Sequence, residues 1–472
     1  MPSELQKLAA ELRVHTLPEV IEVRYICVVG KVRGRPPERR RLTHSQEAPM
    51  PQVTQDTKTE TQTEKQPVKP TAHFAAPHAE IIEALNLAEF GVFESRTVPN
   101  QAGVFIQTGR NGVTFSSFNF ETAVQVTMPA ETPVAQGNSL LDFTELKKAL
   151  AAMVAGETKT VAARTPVALA GDLLTTEHLS VPITALDIHE YVHAPEPAPM
   201  LAELDAQDFL AQLNRVLPAA GRDDTLPALT GIQLTLSGET LTLAATDRYR
   251  FAVADVPAPA TNKPLEKPIT TLIPAGILGA LAKRFKTQAG PVGIGMVTTD
   301  TDVPRATFSL GTATITVRAI YGSLPPHEKL FPKTRKASVR IDRATAVRAA
   351  KKCHALVKAK GDKHSPVCFT WADDGTLTLA PRVGEASDQA RIKGMTIPST
   401  ITHGGADAVR NTHLSLNPAF LLDALATFTD DTITLHVQET TDGQATKPVL
   451  LTTGPSMRGE AYRHLLMPIR LS

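Results

Sequence analysis

A short alternating pattern occurs three times in this chain, at a spacing of about 130 residues. The runs VTF, LTL and LTL begin at 113, 241 and 377, and their apolar and hydroxyl side chains alternate as in a half-buried strand. Each run is followed by a segment whose apolar residues have helical spacing, and these segments are 140–150, 271–281 and 415–425. Because solenoid units are shorter than this period, the pattern indicates a repeated domain.

The same order of elements is predicted in each of the three copies. An amphipathic helix opens each copy, over 78–90, 205–217 and 343–358. Between the two helices of a copy lie short runs of β-branched and aromatic residues, separated by turn residues. The order helix, strands, helix, strands predicts an α+β fold with helices on one face of antiparallel sheets.

Proline-rich stretches separate the copies. APEPAP occupies 194–199 and LPPHEKLFPK occupies 324–333, and both are typical of boundaries. We therefore expect domains at 72–194, 195–328 and 329–472. A chain of 472 residues, 42% of them hydrophobic, is long enough to form these separate cores.

Residues 1–71 precede the copies and differ from them in composition. Leucines at helical spacing predict a helix over 2–14, and 20–32 is apolar enough to form a strand. The segment 46–70 is predicted to be a disordered linker, because it is rich in Gln, Thr, Lys and Pro and can bury little apolar surface. The basic run 33–41 favours a solvated tail, with DNA contact as the alternative.

The composition excludes several classes of protein. Lys and Arg number 49 against 48 for Asp and Glu, so affinity for nucleic acid would depend on where the charges lie. Cys27, Cys353 and Cys368 have no CxxC spacing, which predicts neither a disulfide framework nor a zinc site. The chain has no apolar run of about 20 residues and no secretory signal, so we expect a soluble, cytoplasmic protein. It also lacks a GxxxxGKS/T phosphate loop and a GxSxG elbow, and we expect no catalytic residue, cofactor or metal.

Two stretches far apart in the sequence carry the most specific signal. LTLAATDRYRFAV at 241–253 reads as a strand, a polar and cationic turn and a second strand, which alone predicts a hairpin. YRHLLMPIRL lies beside the C-terminus at 462–471. Together, the ATDxxRxAV and LMPxRL segments resemble those of the bacterial DNA polymerase III β subunit family, the β sliding clamps, where they form two walls of one pocket. The resemblance extends in order from about Ala72 to the end of the chain.

The resemblance implies an architecture and a function. Clamps of this family have three similar domains, and two protomers close head to tail into a homodimeric ring around duplex DNA, whose sequence they do not read. The ring is not an enzyme; it tethers the replicative DNA polymerase for processive replication, and a separate ATP-driven clamp loader places it on DNA. Polymerase, loader and other replication or repair proteins insert linear motifs between the second and third domains. No membrane is implied.

Position by position, the resemblance implies a partner-peptide pocket at the second domain boundary. One wall consists of Leu229, Thr246, Arg248, Tyr249, Arg250, Phe251, Pro325, Lys329 and Leu330. The opposite wall consists of Asn417, Phe420, Pro448, Leu465, Met467, Pro468, Ile469 and Arg470. Apolar members would supply contact area, and Arg and Asn heads would bind a peptide backbone or carboxylate, although any one apolar residue alone would be interpreted as core. Many clamps have Gly-His at the positions of Arg248 and Tyr249, and Arg at that of Lys329, so a narrower pocket with a different peptide preference is expected.

Basic residues recur on helices that the family directs towards DNA. They are Lys147, Lys148, Lys283, Arg284, Lys286, Arg343, Arg348, Lys351 and Lys352. One charged helix face is usually only solvated, but the recurrence favours phosphate contacts, which hold DNA without reading its sequence.

Two alternatives to a replicative clamp stay open. A paralogous or mobile-element clamp would keep the ring and bind a different set of partners. A monomeric peptide-binding adaptor would keep the pocket and lack the ring.

Overall fold

The structure of the protein is a computed structural model. It describes residues 71–94, 97–129, 134–261, 265–287, 289–298, 303–360, 365–410, 412–458 and 461–470. The predicted N-terminal helix, strand, basic run and linker lie outside the described residues, as does Cys27.

The described residues form three successive groups of elements, named repeat 1, repeat 2 and repeat 3. Repeat 1 consists of β1 (His73–Pro77), α1 (His78–Ala88), β2 (Gly103–Gly109), β3 (Gly112–Phe118), β4 (Thr122–Met128), β5 (Gly137–Asp142), α2 (Phe143–Met153), α3 (Lys159–Arg164), β6 (Pro166–Ala170), β7 (Leu173–Thr175) and β8 (Ser180–Pro182). Repeat 2 consists of β9 (Met200–Asp205), α4 (Ala206–Val216), β10 (Gly231–Ser237), β11 (Thr240–Thr246), β12 (Arg250–Pro257), β13 (Ile269–Pro274), α5 (Ala275–Arg284), β14 (Pro291–Val297), β15 (Arg305–Leu310) and β16 (Ala313–Arg318).

A short helix, α6 (His327–Leu330), lies between repeats 2 and 3. Repeat 3 consists of β17 (Ala337–Asp342), α7 (Arg343–Ala359), β18 (Val367–Trp371), β19 (Leu377–Pro381), α8 (Ala386–Gln389), β20 (Met395–Ile397), β21 (Ser399–His403), β22 (His413–Leu416), α9 (Pro418–Thr427), β23 (Thr432–Val437), β24 (Thr440–Thr441), β25 (Gln444–Ala445), β26 (Val449–Thr452) and β27 (Tyr462–Leu466). The predicted α+β fold with three similar units is confirmed.

The first helices begin at or within one residue of the predicted positions, whereas the starts of the second helices differ from the prediction in all three repeats. A strand, and not a helix, opens each repeat, since β1, β9 and β17 precede the first helix. The second helices α2, α5 and α9 begin three or four residues later than predicted, because the apolar residues before them complete strands. N-cap residues define two of these starts. The side chain of Asp142 accepts a hydrogen bond from the N–H of Glu145, and the side chain of Asn417 accepts hydrogen bonds from the N–H groups of Ala419 and Phe420.

Two of the sheets run across the boundaries between repeats. Among the described residues the strand orders are β1-β6-β7-β8, β5-β2-β3-β4-β16-β15-β14-β9, β13-β10-β11-β12-β27-β26-β23-β17-β21 and β20-β19-β18-β22-β25-β24. Strand β4 pairs with β16 to join repeats 1 and 2, and β12 pairs with β27 to join repeats 2 and 3. Both pairs are antiparallel. In each of them, a strand of one repeat pairs with the last strand of the next repeat, and we call such a pairing a joint.

The first helix of each repeat packs on the sheets and buries its apolar stripe. Helix α1 buries Ile81 and Leu85, and helix α4 buries Phe209 and Leu213. The Phe209 ring stacks on Phe308 of β15 with centroids 6.1 Å apart. Burial of side chains of this size contributes about 1.5–3 kcal/mol each. No helix among the described residues combines the length and apolarity needed to cross a membrane.

Candidate functional site

The hairpin turn between β11 and β12 has an unusual backbone. Oδ1 of Asp247 accepts hydrogen bonds from the N–H groups of Tyr249 (3.0 Å) and Arg250 (3.1 Å), which closes the turn. Arg248 has a φ of 80°, in the left-handed region, where a side chain costs about 1–2 kcal/mol. The turn leaves Tyr249 54% exposed at the end of the hairpin.

The C-terminal segment lies directly against this hairpin. Strand β27 pairs with β12, so that Leu465 faces Phe251 across the sheet. Beyond the strand, the N–H of Met467 donates to the carbonyl of Tyr249 at 2.9 Å, and the N–H of Ile469 donates to the carbonyl of Ser415 at 2.8 Å. The two stretches singled out in the sequence are therefore neighbours, although more than 200 residues separate them.

Arg250 connects the hairpin to helix α9. Its Nε donates to Oδ2 of Asp247 at 2.8 Å and its Nη1 donates to Oδ2 of Asp423 at 2.7 Å. Its guanidinium also lies 4.6 Å from the centre of the Phe420 ring, and the side chain is only 6% exposed. Two carboxylates and an aromatic ring therefore already contact this guanidinium, and its contact with a partner peptide stays a prediction.

A cavity of about 360 Å³ opens beside the turn, and four of the predicted pocket residues line it. The lining residues are Gly221, Arg222, Asp223, Leu226, Leu229, Asp247, Arg248, Tyr249 and Phe420. The Tyr249 ring stacks on the Phe420 ring at 6.0 Å, so an aromatic pair forms one wall. We name this cavity the junction pocket, since it lies where repeats 2 and 3 meet.

Sequence reasoning missed the loop 221–226, which supplies the opposite wall of the junction pocket. Asp223 accepts hydrogen bonds from the N–H (3.1 Å) and hydroxyl (2.6 Å) of Thr225. These bonds, and the nearby positive charge of Arg248, hold the pKa of the Asp223 carboxyl below its usual value. The only signal in the sequence was a polar, turn-forming run after the helix, which is common in loops.

Other predicted pocket residues lie behind or beside the junction pocket. Phe251 and Leu465 are buried in an apolar cluster with Phe331, whose ring meets Phe251 edge on at 6.0 Å. Thr246 is buried, and its hydroxyl donates to the carbonyl of Arg250. Asn417 is the N-cap of α9 through its side-chain oxygen, and its contact with a peptide stays a prediction.

The remaining members of the predicted set lie outside the cavity lining. Lys329 and Arg470 are exposed, and Leu330, Pro325, Pro448, Met467, Pro468 and Ile469 are half-buried. Leu330 packs against the apolar cluster of Phe251. Nothing in this arrangement tests whether these residues touch a partner, and their role stays a prediction.

The predicted DNA-facing residues lie on or just after three helices. Lys147 and Lys148 belong to α2, Lys283 and Arg284 to the last turn of α5, and Arg343, Arg348, Lys351 and Lys352 to α7, while Lys286 follows α5. Lys147 pairs with Glu89 at 2.8 Å, and Arg343 donates from Nε to the carbonyl of Asp430 at 2.7 Å. Lys148, Lys283, Lys286, Arg348, Lys351 and Lys352 are exposed. Contact with DNA remains a prediction for this set.

The sequence HEYVH at 189–193 has the HExxH spacing of zinc proteases, which the expectation of no metal site overlooked. That spacing binds zinc only on an α-helix, where the two histidines share a face. Here Ile188–Glu190 forms a single 3₁₀ turn, and His193 packs edge on against Phe105 and Tyr191. The described residues contain no group of three or more His, Cys, Asp or Glu side chains placed to hold a metal.

Comparisons with known proteins agree on one family. Residues 203–326 match the family described as DNA polymerase III beta subunit, central domain. The chain is 29% identical over 400 residues to the beta sliding clamp of Streptomyces coelicolor, covering 82% of this chain and 97% of that protein. It is 26% identical over 399 residues to the beta sliding clamp homolog GriR of Streptomyces muensis, covering 83% and 97%.

A solved structure shows the same fold at lower identity. The DnaN sliding clamp of Pseudomonas aeruginosa bound to griselimycin superposes with a TM-score of 0.68 at 16% identity, covering 85% of this chain and 100% of that one. The covered share is about the length of the three repeats taken together.

Proposed function

This chain belongs to the DNA polymerase III β subunit (β sliding clamp) family, and on that premise we propose that it is a DNA sliding clamp. It encircles duplex DNA and tethers the replicative DNA polymerase, and it catalyses nothing itself. The tether acts by raising the effective concentration of polymerase at the primer end between nucleotide additions. Its domains are 72–194, 195–328 and 329–472, and it works in the cytoplasm.

Unpaired sheet edges support closure into a ring. Within the chain, β4 joins β16 and β12 joins β27. By position in their repeats, β20 is the equivalent of β4 and β12, and β8 is the equivalent of β16 and β27. Each of them ends its sheet without a further strand among the described residues. Pairing β8 of one chain with β20 of a second, and the reverse, closes a head-to-tail dimer and covers both edges.

Light scattering tests the ring. We expect a mass near twice the 50.7 kDa of one chain at micromolar concentration. A mass near 50.7 kDa would favour the monomeric adaptor.

Encirclement is tested by retention on nicked circular DNA. A closed ring stays on the circle through topological linkage even at salt concentrations that weaken phosphate contacts, and it is lost when the circle is cut. Retention that survives linearisation would indicate ordinary binding instead.

The junction pocket is the proposed binding site for linear motifs of the polymerase, the clamp loader and other replication or repair proteins. The observation that carries this proposal is that Tyr249, Phe420 and the segment of Met467 come together beside a cavity. Large apolar side chains of a motif would enter between Leu229 and the aromatic pair, and Arg222 and Arg248 favour an acidic residue beside them.

The double substitution Tyr249→Ala with Met467→Ala tests this site. We expect at least a tenfold loss of affinity for a polymerase-derived motif peptide in fluorescence anisotropy, because an aromatic anchor surface is removed. The dimer mass should be unchanged, since neither residue lies on β8 or β20. Unchanged peptide affinity would remove the pocket from the proposal.

A paralogous clamp with a different partner set is the second candidate. The match to the clamp homolog GriR and the Arg248-Tyr249 pair in the turn both favour it. Affinity for the motif peptide of the host's own replicative polymerase separates the two candidates, since a replicative clamp binds it and a specialised paralogue binds it weakly.

A further inference from the structure

The joint between repeats 1 and 2 reproduces the backbone of the junction pocket. In the turn between β3 and β4, Oδ1 of Asn119 accepts from the N–H groups of Glu121 (3.1 Å) and Thr122 (2.7 Å). Asp247 makes the equivalent pair of bonds in the second turn. Phe120 has a φ of 71°, matching the 80° of Arg248. Two turns with different sequences thus adopt one conformation.

The neighbouring strand also contacts the two turns in the same way. The N–H of Arg318, at the end of β16, donates to the carbonyl of Glu121 at 2.8 Å. The N–H of Met467, just after β27, donates to the carbonyl of Tyr249 at 2.9 Å. Arg318 therefore occupies at the first joint the position that Met467 occupies at the second. Helix α5 forms one side of the first joint, as α9 does in the second.

A larger cavity, of about 1290 Å³, lies at this first joint. We name it the junction groove. Its apolar surface is aromatic: Phe90, Phe93 and Phe120 line it. The Phe93 and Phe120 rings meet edge on at 5.8 Å, and Phe120 is 39% exposed although it is a large apolar residue. Phe120 thus combines an exposed ring with a left-handed backbone that is sterically unfavourable for a residue with a side chain.

The charges of the junction groove indicate what it would bind. The side chains of Lys283 and Arg318 line it and make no hydrogen bond or ion pair within the described residues, and Arg284 only approaches Glu83 at 3.9 Å. Glu94 and Glu121 line it as well. Carboxylates beside the cations disfavour a phosphate backbone, whereas a mixed rim around an aromatic floor suits a peptide.

We propose that the junction groove binds a linear peptide of a partner protein, in which an aromatic or large apolar side chain lies next to a carboxylate. The apolar side chain packs against Phe93 and Phe120, and the carboxylate pairs with Lys283 and Arg318. The site is distinct from the junction pocket. Its strand position holds the cation Arg318 where the junction pocket has Met467, and its turn presents Phe120 where the junction pocket has Arg248.

Fluorescein-labelled tetrapeptides of sequence DLFL and KLFL test this proposal by fluorescence anisotropy. The full-length chain carries Tyr249→Ala and Met467→Ala in every arm, so that the junction pocket does not contribute. We expect saturable binding of DLFL and at least threefold weaker binding of KLFL, because the exposed Lys283 and Arg318 attract the carboxylate of DLFL and repel the lysine of KLFL. Phe120→Ala should also weaken DLFL, since it removes the exposed ring.

Charge reversal supplies the decisive comparison. Lys283→Glu should weaken DLFL at least threefold and strengthen KLFL. Lys267→Glu, at an exposed position of the same repeat outside the groove, should change either affinity less than twofold. Equal loss of both peptides with Lys283→Glu, or no saturable binding of DLFL, would overturn the proposal. A 20-base-pair duplex is added as a competitor to chains with and without Lys283→Glu. If the duplex displaces DLFL only when Lys283 is present, the groove binds DNA and the proposal is wrong.

Discussion

The two joints between repeats share a backbone and differ in nearly every side chain that faces their cavities. Both have a hairpin closed by an Asx side chain, a non-glycine residue in the left-handed region, and one hydrogen bond from the neighbouring strand to the turn. The three variable positions are Arg248, Tyr249 and Met467 at the second joint, and Phe120, Glu121 and Arg318 at the first. The sheet gives both turns the same backbone, and the side chains at these three positions give the two joints different chemical surroundings.

The two joints also differ in how their walls are held. Arg250 ties the second turn to α9 through Asp423, whereas the equivalent residue at the first joint is Thr122, which has no charge to offer helix α5. The junction groove has the larger volume, about 1290 Å³ against about 360 Å³ for the junction pocket. The internal ion pair is therefore found at the joint with the smaller cavity.

Lowering the pH should produce the largest difference in stability between repeat 3 and the other two repeats. Burial lowers the pKa of His464 to about 3 and that of His436 to about 4, and both lie in repeat 3. Each is neutral in the folded protein and has a pKa near 6.5 when unfolded, so the unfolded state gains protons as pH falls below 6.5. We expect repeat 3 to lose about 4 kcal/mol of stability between pH 7 and pH 5, measured by hydrogen exchange of β23 and β27.

A matched measurement in repeats 1 and 2 sharpens this comparison. None of the described histidines of those repeats is buried, so their exchange should change little above pH 5. The variant His436→Asn should reduce the pH dependence of repeat 3 by about half. Equal loss of protection in all three repeats would contradict the assignment to these two histidines.

Substitution of Arg250 should have the next largest effect on the free energy of unfolding. Arg250→Met leaves Asp247 and Asp423 without their partner, and we expect a loss of about 2–3 kcal/mol, below the usual 3–5 because Asp423 is 45% exposed. Thr122→Ala, at the equivalent position of the first joint, should cost about 1 kcal/mol or less. Urea denaturation followed at both joints measures the two; equal costs would mean that Arg250 does not hold the second joint.

Glycine substitutions at the two residues with left-handed backbone should have the smallest effect on stability. Arg248→Gly removes a steric cost of about 1–2 kcal/mol but adds entropy to the unfolded chain, for a net gain of about 0.5–1 kcal/mol. Phe120→Gly should gain similarly, and Arg248→Ala should gain nothing because Ala keeps a Cβ. Thermal unfolding measures all three variants. No difference between Arg248→Gly and Arg248→Ala would show that the turn is unstrained.

Much of this architecture could be predicted from the sequence, because a repeat of about 130 residues and the two motifs at 241–253 and 462–471 can be recognised in the sequence itself. The starts of the second helices were not, since Leu140 and Leu141 fit a helical period as well as a strand, and only the cap at Asp142 decides. The role of Arg250 was missed because its partner Asp423 lies 173 residues away. The junction groove was missed because its turn, SSFNFETAV, shares only the Asx position with AATDRYRFAV when the two turns are aligned.

Backbone hydrogen bonds of two sheets continue from one repeat to the next within each chain. The strands β4 and β12 meet their partners through five residue pairs each, whereas β8 and β20 offer three residues. In the proposed ring, mechanical load would therefore concentrate at the two seams between chains. A machine that opens such a ring needs to separate only a single short seam and can leave the longer strand pairings within each chain intact.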